Sequence, residues 1–178
     1  MPVDEQGVSI SRHRYQLIPR VLCFVFHGDE VLLLRGAPDK KIWAGKYNGL
    51  GGHVERGETV HAAAAREIRE EAGLAADQLR LRGVVTIETG EATGIGLYVF
   101  TAKASDRATR PSTEGGLEWV PVASVSELDC VEDLPTLLAR LRNMDDSTPP
   151  FGAHYHYDQG GHLVIAFDDG MGGSARSG

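Results

Sequence analysis

The chain has 178 residues, 42% of them hydrophobic, and a formal net charge of −7, which together describe one ordinary domain with a sizeable core. The negative balance argues against a general nucleic-acid surface, which is normally basic, but not against a nucleotide substrate, because a divalent cation can invert the local charge. Two cysteines, Cys23 and Cys130, form no disulfide or zinc framework, and no apolar run suits a membrane span or a signal core, so a cytoplasmic protein is expected.

Residues 1–17 are polar and patternless and read as a flexible arm before a single domain over 18–167. "RVLCFVFHGDEVLLLRG" then places two β-rich runs around His27-Gly28-Asp29, the pattern of a hairpin, with Cys23 as a small core residue. "WAGKYNGLGGHVERGE" follows, and its glycines predict tight turns and a close approach of backbone to a ligand. The spacing predicts a helix over Val60–Ala72, with Thr59 as N-cap and Gly73 as the residue that ends it. Residues 79–88, 94–102 and 117–122 read as strands, with a long polar loop over 103–116 before the last. Leu134, Leu137, Leu138 and Leu141 recur at helical spacing within 133–142. After a linker-like "NMDDSTPP", "AHYHYDQGGHLVIAF" reads as a hairpin around Gly160-Gly161, and 168–178 as a disordered tail. Strands with one central and one late helix give an α/β domain with helices on both sides of a mixed sheet.

The first helix carries an acidic face. At about 100° per residue, Glu67, Glu70 and Glu71 share one arc, while Ala64, Ala65, Ile68 and Ala72 take the neighbouring arc toward a core. Glu67 and Glu71 are i,i+4 neighbours, a like-charge pair that costs an isolated helix roughly 0.2–0.5 kcal/mol. Two things can offset that cost. One is an ordinary salt-bridged surface, with Arg66 paired to Glu70 at i,i+4. The other is a hard dication such as Mg²⁺, which takes carboxylate and water oxygens and bridges to substrate phosphates. The Gly-rich loop just upstream favours the cation, since it can turn backbone groups toward the same acids.

Gly52, five residues, Glu58, seven residues, then "REIREEAGL" from Arg66 to Leu74 resembles the Nudix box at every defined position. "AGKYNGLGGHVERGET" and "FGAHYHYDQGGHLVIAF" extend the similarity, over about residues 20–167, to the oxidised purine nucleoside triphosphate hydrolases of the MutT type. The resemblance implies a Nudix-type α/β/α sandwich and a hydrolase that cleaves a nucleoside triphosphate, such as 8-oxo-dGTP, to monophosphate and pyrophosphate. It implies Mg²⁺ or Mn²⁺ held by Glu67, Glu70, Glu71 and the Gly51 carbonyl, with Arg66 orienting the acids and Glu58 supporting the loop. Glu114 matches a further metal-associated or base-candidate acid of such enzymes, and otherwise reads as a solvated loop acid. Asn48 matches a base-contacting asparagine, and otherwise reads as half of an Asn-Gly turn. Glu132 and Asp133 match paired aspartates near a proline, with a shifted spacing to Pro135, and otherwise read as acids at a helix N-terminus. Ile87 and Thr89 stand where such pockets carry phenylalanines, which leaves Trp43 as the stacking face. Lys40, Lys41 and Lys46 read as surface lysines that could also meet phosphates. A small nucleotide is then the partner, with no nucleic-acid polymer and no membrane. ADP-ribose or dinucleoside polyphosphates are alternative substrates. A non-catalytic sensor on the same fold should have lost box acids, and all of them are present.

Overall fold

β1 (Gln16–His27) alternates small and large apolar side chains, and both of its faces are buried from Val21 to Val25. Residue parity decides the layers, because successive side chains of a strand point to opposite faces. Leu22 and Phe24 join one apolar cluster, and Val21, Cys23 and Val25 join the other. In the computed structural model, residues 14–39, 42–112 and 114–168 are described. The proposed arm boundary after residue 17 falls inside β1, since Gln16 and Leu17 already pair with Thr93 and Gly94. The rest of that arm up to residue 13, Lys40 and Lys41, and the tail from residue 169 lie outside the described residues.

The other elements are β2 (Glu30–Gly36), β3 (Tyr47–Asn48), α1 (Val60–Ala72), β4 (Asp77–Ile87), β5 (Thr93–Lys103), β6 (Gly115–Pro121), α2 (Leu134–Arg142), β7 (Phe151–Tyr157) and β8 (Leu163–Phe167). The strands form one mixed sheet in the order β3-β2-β1-β5-β4-β7-β8, with β6 on the far edge of β2. β1 runs parallel to β5, and β4 parallel to β7; the remaining pairs are antiparallel. β2 gives its first residues to β1 and its last to β3, so the sheet curls at that corner. α1 covers one face through Ala63, Ala64, Ile68 and Ala72, and α2 covers the other through Leu134, Leu137, Leu138 and Leu141. The α/β/α arrangement expected from the sequence is therefore present. No helix among the described residues is long and apolar enough to cross a membrane.

Local chemistry sets the helix ends. The Thr59 hydroxyl accepts from Ala62 N at 3.1 Å, and Gly73 adopts φ 73°, its N–H returning to Arg69 O. The core stripe differs by one position from the sequence reading. Ala63 is fully buried, whereas Ala65 is only half-buried, because the helix is rolled so that Glu71 also turns inward. Val122 belongs to a 3₁₀ turn over Val122–Glu127 that follows β6 and was not foreseen. Cys23 is a buried free thiol, as expected.

Between α2 and β7 the chain is held by Asp145, whose Oδ1 accepts from the hydroxyls and backbone N–H groups of Ser147 and Thr148. Those bonds, the Ser147 hydroxyl foremost, lower its pKa to about 2. A carboxylate depressed in the folded state adds stability above its unfolded pKa of about 3.9, and that stability is lost as pH falls through the folded value. Asp145→Ala is expected to lower Tm at pH 7 and to flatten the loss of Tm between about pH 4 and pH 2. Melting curves across that range check it, and an unchanged acid limb would count against the assignment.

Candidate functional site

The Gly-rich segment becomes a strap across β1. Cys23 and Leu50 exchange backbone hydrogen bonds, and Val21 N donates to Gly52 O, which lays residues 50–52 against the strand. Two glycines are required there. Gly51 has φ 151°, and a Cβ on it would collide with the Val21 carbonyl. A Cβ on Gly52 would strike the Glu67 carboxylate, so this residue is the contact surface between loop and acids. Gly51 N donates to Glu71 Oε2 at 2.9 Å, locking the loop onto the buried end of α1.

Arg66 organises the acids. Its Nε and Nη2 meet the two carboxylate oxygens of Glu58 at 3.2 and 2.8 Å, and Nη1 donates to Glu67 Oε1 at 2.9 Å and Glu70 Oε2 at 3.1 Å. Nη2 also donates to His53 O at 3.1 Å. Glu58 closes the loop by accepting from Glu55 N at 2.7 Å. The Arg66–Glu70 pair, one of the two offsets weighed from the sequence, is thus one bond of a five-bond node. Hydrogen bonding from Arg66 holds the Glu58 carboxyl below its ordinary range. Burial pushes the Glu67 carboxyl up, against the opposing pull of Arg66. Burial, and then the charges of Glu71 and Glu67, push the Cys23 thiol up behind them, which keeps it an inert core group.

A cleft of about 1200 Å³ opens on this acid cluster. Glu67, Glu70, Glu71, Gly51 and Gly52 line it, and so do Asn48, Trp43, Glu132, Asp133 and Glu114. Arg66, Glu58 and Gly73 are not among its lining residues; Arg66 and Glu58 connect to it through the Arg66 bonds to Glu67 and Glu70, and Gly73 caps the far end of α1. The pairing that brings the far end together is tertiary: Tyr47 N donates to Asp129 O and Val131 N to Tyr47 O, so residues 129–131 run beside β3. Glu132 and Asp133 thereby come alongside Asn48. Asn48 lies in β3 rather than in a hairpin turn, and its Oδ1 accepts from Gly49 N at 2.8 Å. Asp133 sits at the N-cap position of α2 but makes no side-chain cap bond, and burial raises its pKa. The helix-capping alternative therefore has no hydrogen bond behind it. Glu114 precedes β6, with its N–H on Ser112 Oγ and its carbonyl accepting from Ala37 N. Trp43 is half exposed at the rim with φ 59°, and Lys46 is paired with Asp129 at 2.7 Å.

Ile87 and Thr89 also line the cleft. Arg20, His53 and Tyr155 also line it and were missed. Arg20 Nε donates to His53 Nε2 at 3.1 Å, a pairing that only the strap against β1 creates. Tyr155 lies in the hairpin segment read from the sequence, and it packs in the apolar cluster under α2.

The acid cluster is tested as a cation site by its donors. Glu67, Glu70 and Glu71 offer only hard oxygens, the set that suits Mg²⁺ or Mn²⁺ rather than a thiophilic metal. Among the described residues no three carboxylate, imidazole or thiol groups are drawn together into a finished cage.

The NUDIX domain model matches residues 16–141. The chain is 34% identical over 94 residues to the oxidized purine nucleoside triphosphate hydrolase of Danio rerio, covering 52% of this chain and 60% of that one. It is 31% identical over 113 residues to the protein of the same name from Mus musculus, covering 63% and 71%. A MutT protein from Bacillus halodurans superposes with a TM-score of 0.72 over 86% of this chain and 99% of that chain, at 24% identity. The domain match, the spacing of the box from Gly52 to Leu74 and the shared fold agree that the chain belongs to the Nudix hydrolase family.

Proposed function

We propose that the protein is a divalent-cation-dependent hydrolase of an oxidised purine nucleoside triphosphate, such as 8-oxo-dGTP, yielding the monophosphate and pyrophosphate. The observation that carries this reading is that one cleft joins the α1 carboxylates to Asn48, Glu132 and Asp133. Phosphate chemistry at one end and hydrogen-bonding side chains at the other suit a nucleotide lying along it. Nudix hydrolases generally use divalent metal ions. Glu67, Glu70, Glu71 and the Gly51 carbonyl would hold Mg²⁺ or Mn²⁺, with Glu114, which lines the same cleft, as a further candidate ligand. The cation supplies charge neutralisation at the phosphate oxygens and polarises phosphorus. Arg66 fixes where the acids stand. One carboxylate of the cluster takes the proton of the attacking water. Trp43 stacks on the base, and Asn48, with an amide that can donate and accept, reads its edge. The setting this implies is the pool of small nucleotides in the cytoplasm.

Turnover of a nucleotide panel with Mg²⁺ or Mn²⁺ tests the reading, with ADP-ribose and dinucleoside polyphosphates as the competing outcomes. Asn48→Ala is expected to lower kcat/KM for 8-oxo-dGTP about five- to 150-fold, the value of a lost hydrogen bond to a buried group, and to spare a pyrimidine triphosphate. A uniform loss across bases, or a wild-type preference for ADP-ribose over every triphosphate, would refute it.

A further inference from the structure

Tyr155 on β7 is 2% exposed and lines the base end of the cleft. Its ring packs in the apolar cluster under α2, yet its hydroxyl has no hydrogen-bond partner among the described residues. Buried polar atoms are nearly always paired, so this oxygen needs an explanation. Packing does not supply one, because a phenylalanine would fill the same space. Asp133 is its electrostatic neighbour: after burial, the Asp133 charge is what pushes the phenol's pKa up. Both residues also line the same cleft.

The polarity of this part of the cleft is readable. Glu132 and Asp133 are acceptors when ionised. Asn48 has its Oδ1 committed to Gly49 N, so its amide N–H groups are donors for other partners. The Tyr155 hydroxyl is the other donor. An edge with N–H groups beside a carbonyl matches this set. Guanine carries an acceptor oxygen at position 6, where adenine carries an amino donor. Resting on the proposed nucleotide reading, we propose that the Tyr155 hydroxyl is a base-reading donor that meets the ring carbonyl of a 6-oxopurine, whose N–H groups face Glu132 and Asp133. The site thereby selects guanine-type over adenine-type bases.

Tyr155→Phe deletes the hydroxyl and nothing else. The expected result is an unchanged or higher Tm, because no protein bond is lost. With it, kcat/KM should fall about five- to 150-fold for 8-oxo-dGTP but stay within twofold for dATP. Equal losses on both substrates, or no loss on either, would overturn the inference, and so would a lower Tm, which would reveal a protein partner for the hydroxyl. Calorimetric titration of 8-oxo-dGMP into both proteins separates this from the parent reading. Should the wild type hydrolyse no purine triphosphate, the proposed function fails, and the titration still decides the role of Tyr155. A weaker Kd in Tyr155→Phe by fivefold or more supports it; equal affinities, or no binding by either protein, sink it.

Discussion

Glu71→Gln is expected to reduce turnover by about 10²–10⁴-fold with Mg²⁺ while leaving the fold intact. Glu71 is a charged side chain only 7% exposed, on the core side of α1. A helix rarely turns a carboxylate inward unless something there uses the charge. The Gly51 N–H uses part of it, at 2.9 Å from Oε2. Glutamine keeps the volume and one acceptor oxygen for that bond, so the strap over β1 stays in place. What disappears is the negative charge, which is what a cation and its phosphates require. Removing one member of the Glu67/Glu71 i,i+4 pair also relieves roughly 0.2–0.5 kcal/mol of repulsion. Circular dichroism and Tm should therefore match or slightly exceed wild type. Near-normal turnover with Mg²⁺ would sink the assignment, and a Tm drop of several degrees would show that the charge was structural.

The parts of this molecule that were legible in the sequence are those set by local chemistry. α1 begins at Thr59 and ends at Gly73 because a hydroxyl cap and a left-handed residue act within one turn. The Nudix box is a spacing along one helix and its preceding loop, so Gly52, Glu58 and the glutamates could be read before any fold was known. β3 could not. Two residues carry no periodicity, and Tyr47 and Asn48 are a strand only because β2 and residues 129–131 flank them. The same pairing places Glu132 and Asp133 beside Asn48, a neighbourhood that resemblance implied but no spacing encodes. Tyr155 marks a different limit. Alternation along β7 says that it faces inward, but not that the cleft opens at its hydroxyl. The roll of α1, which buries Ala63 instead of Ala65, depends on what the sheet offers to pack against, and helical spacing alone leaves it open by one position.

Arg66 is the residue whose loss should damage both stability and activity. Its guanidinium makes five hydrogen bonds, to Glu58, Glu67, Glu70 and the His53 carbonyl, all at 3.2 Å or less. A planar fork of donors can serve three carboxylates at once; a lysine ammonium can serve fewer and cannot match Glu58 with two parallel bonds. Glu67 depends on it most, since its side chain is 13% exposed and burial already works against its charge. Leaving such a group without its partner costs roughly 1–3 kcal/mol. At about 2–4 °C per kcal/mol for a chain of this size, Arg66→Ala should lower Tm by about 2–12 °C. Arg66→Lys keeps the charge and should recover part of that loss. Neither variant removes a carboxylate, so each should bind the cation more weakly rather than not at all. Supports of this kind are worth about 10–100-fold in affinity or activity. The Mg²⁺ concentration for half-maximal turnover should therefore rise about tenfold or more in both, with kcat partly restored at saturating metal. That dependence distinguishes a positioning role from a general loss of folded protein, which would scale turnover down without moving the Mg²⁺ midpoint. An unchanged midpoint in Arg66→Lys, measured at a temperature where it is fully folded, would show that Arg66 braces the helix and loop without setting the acids for metal.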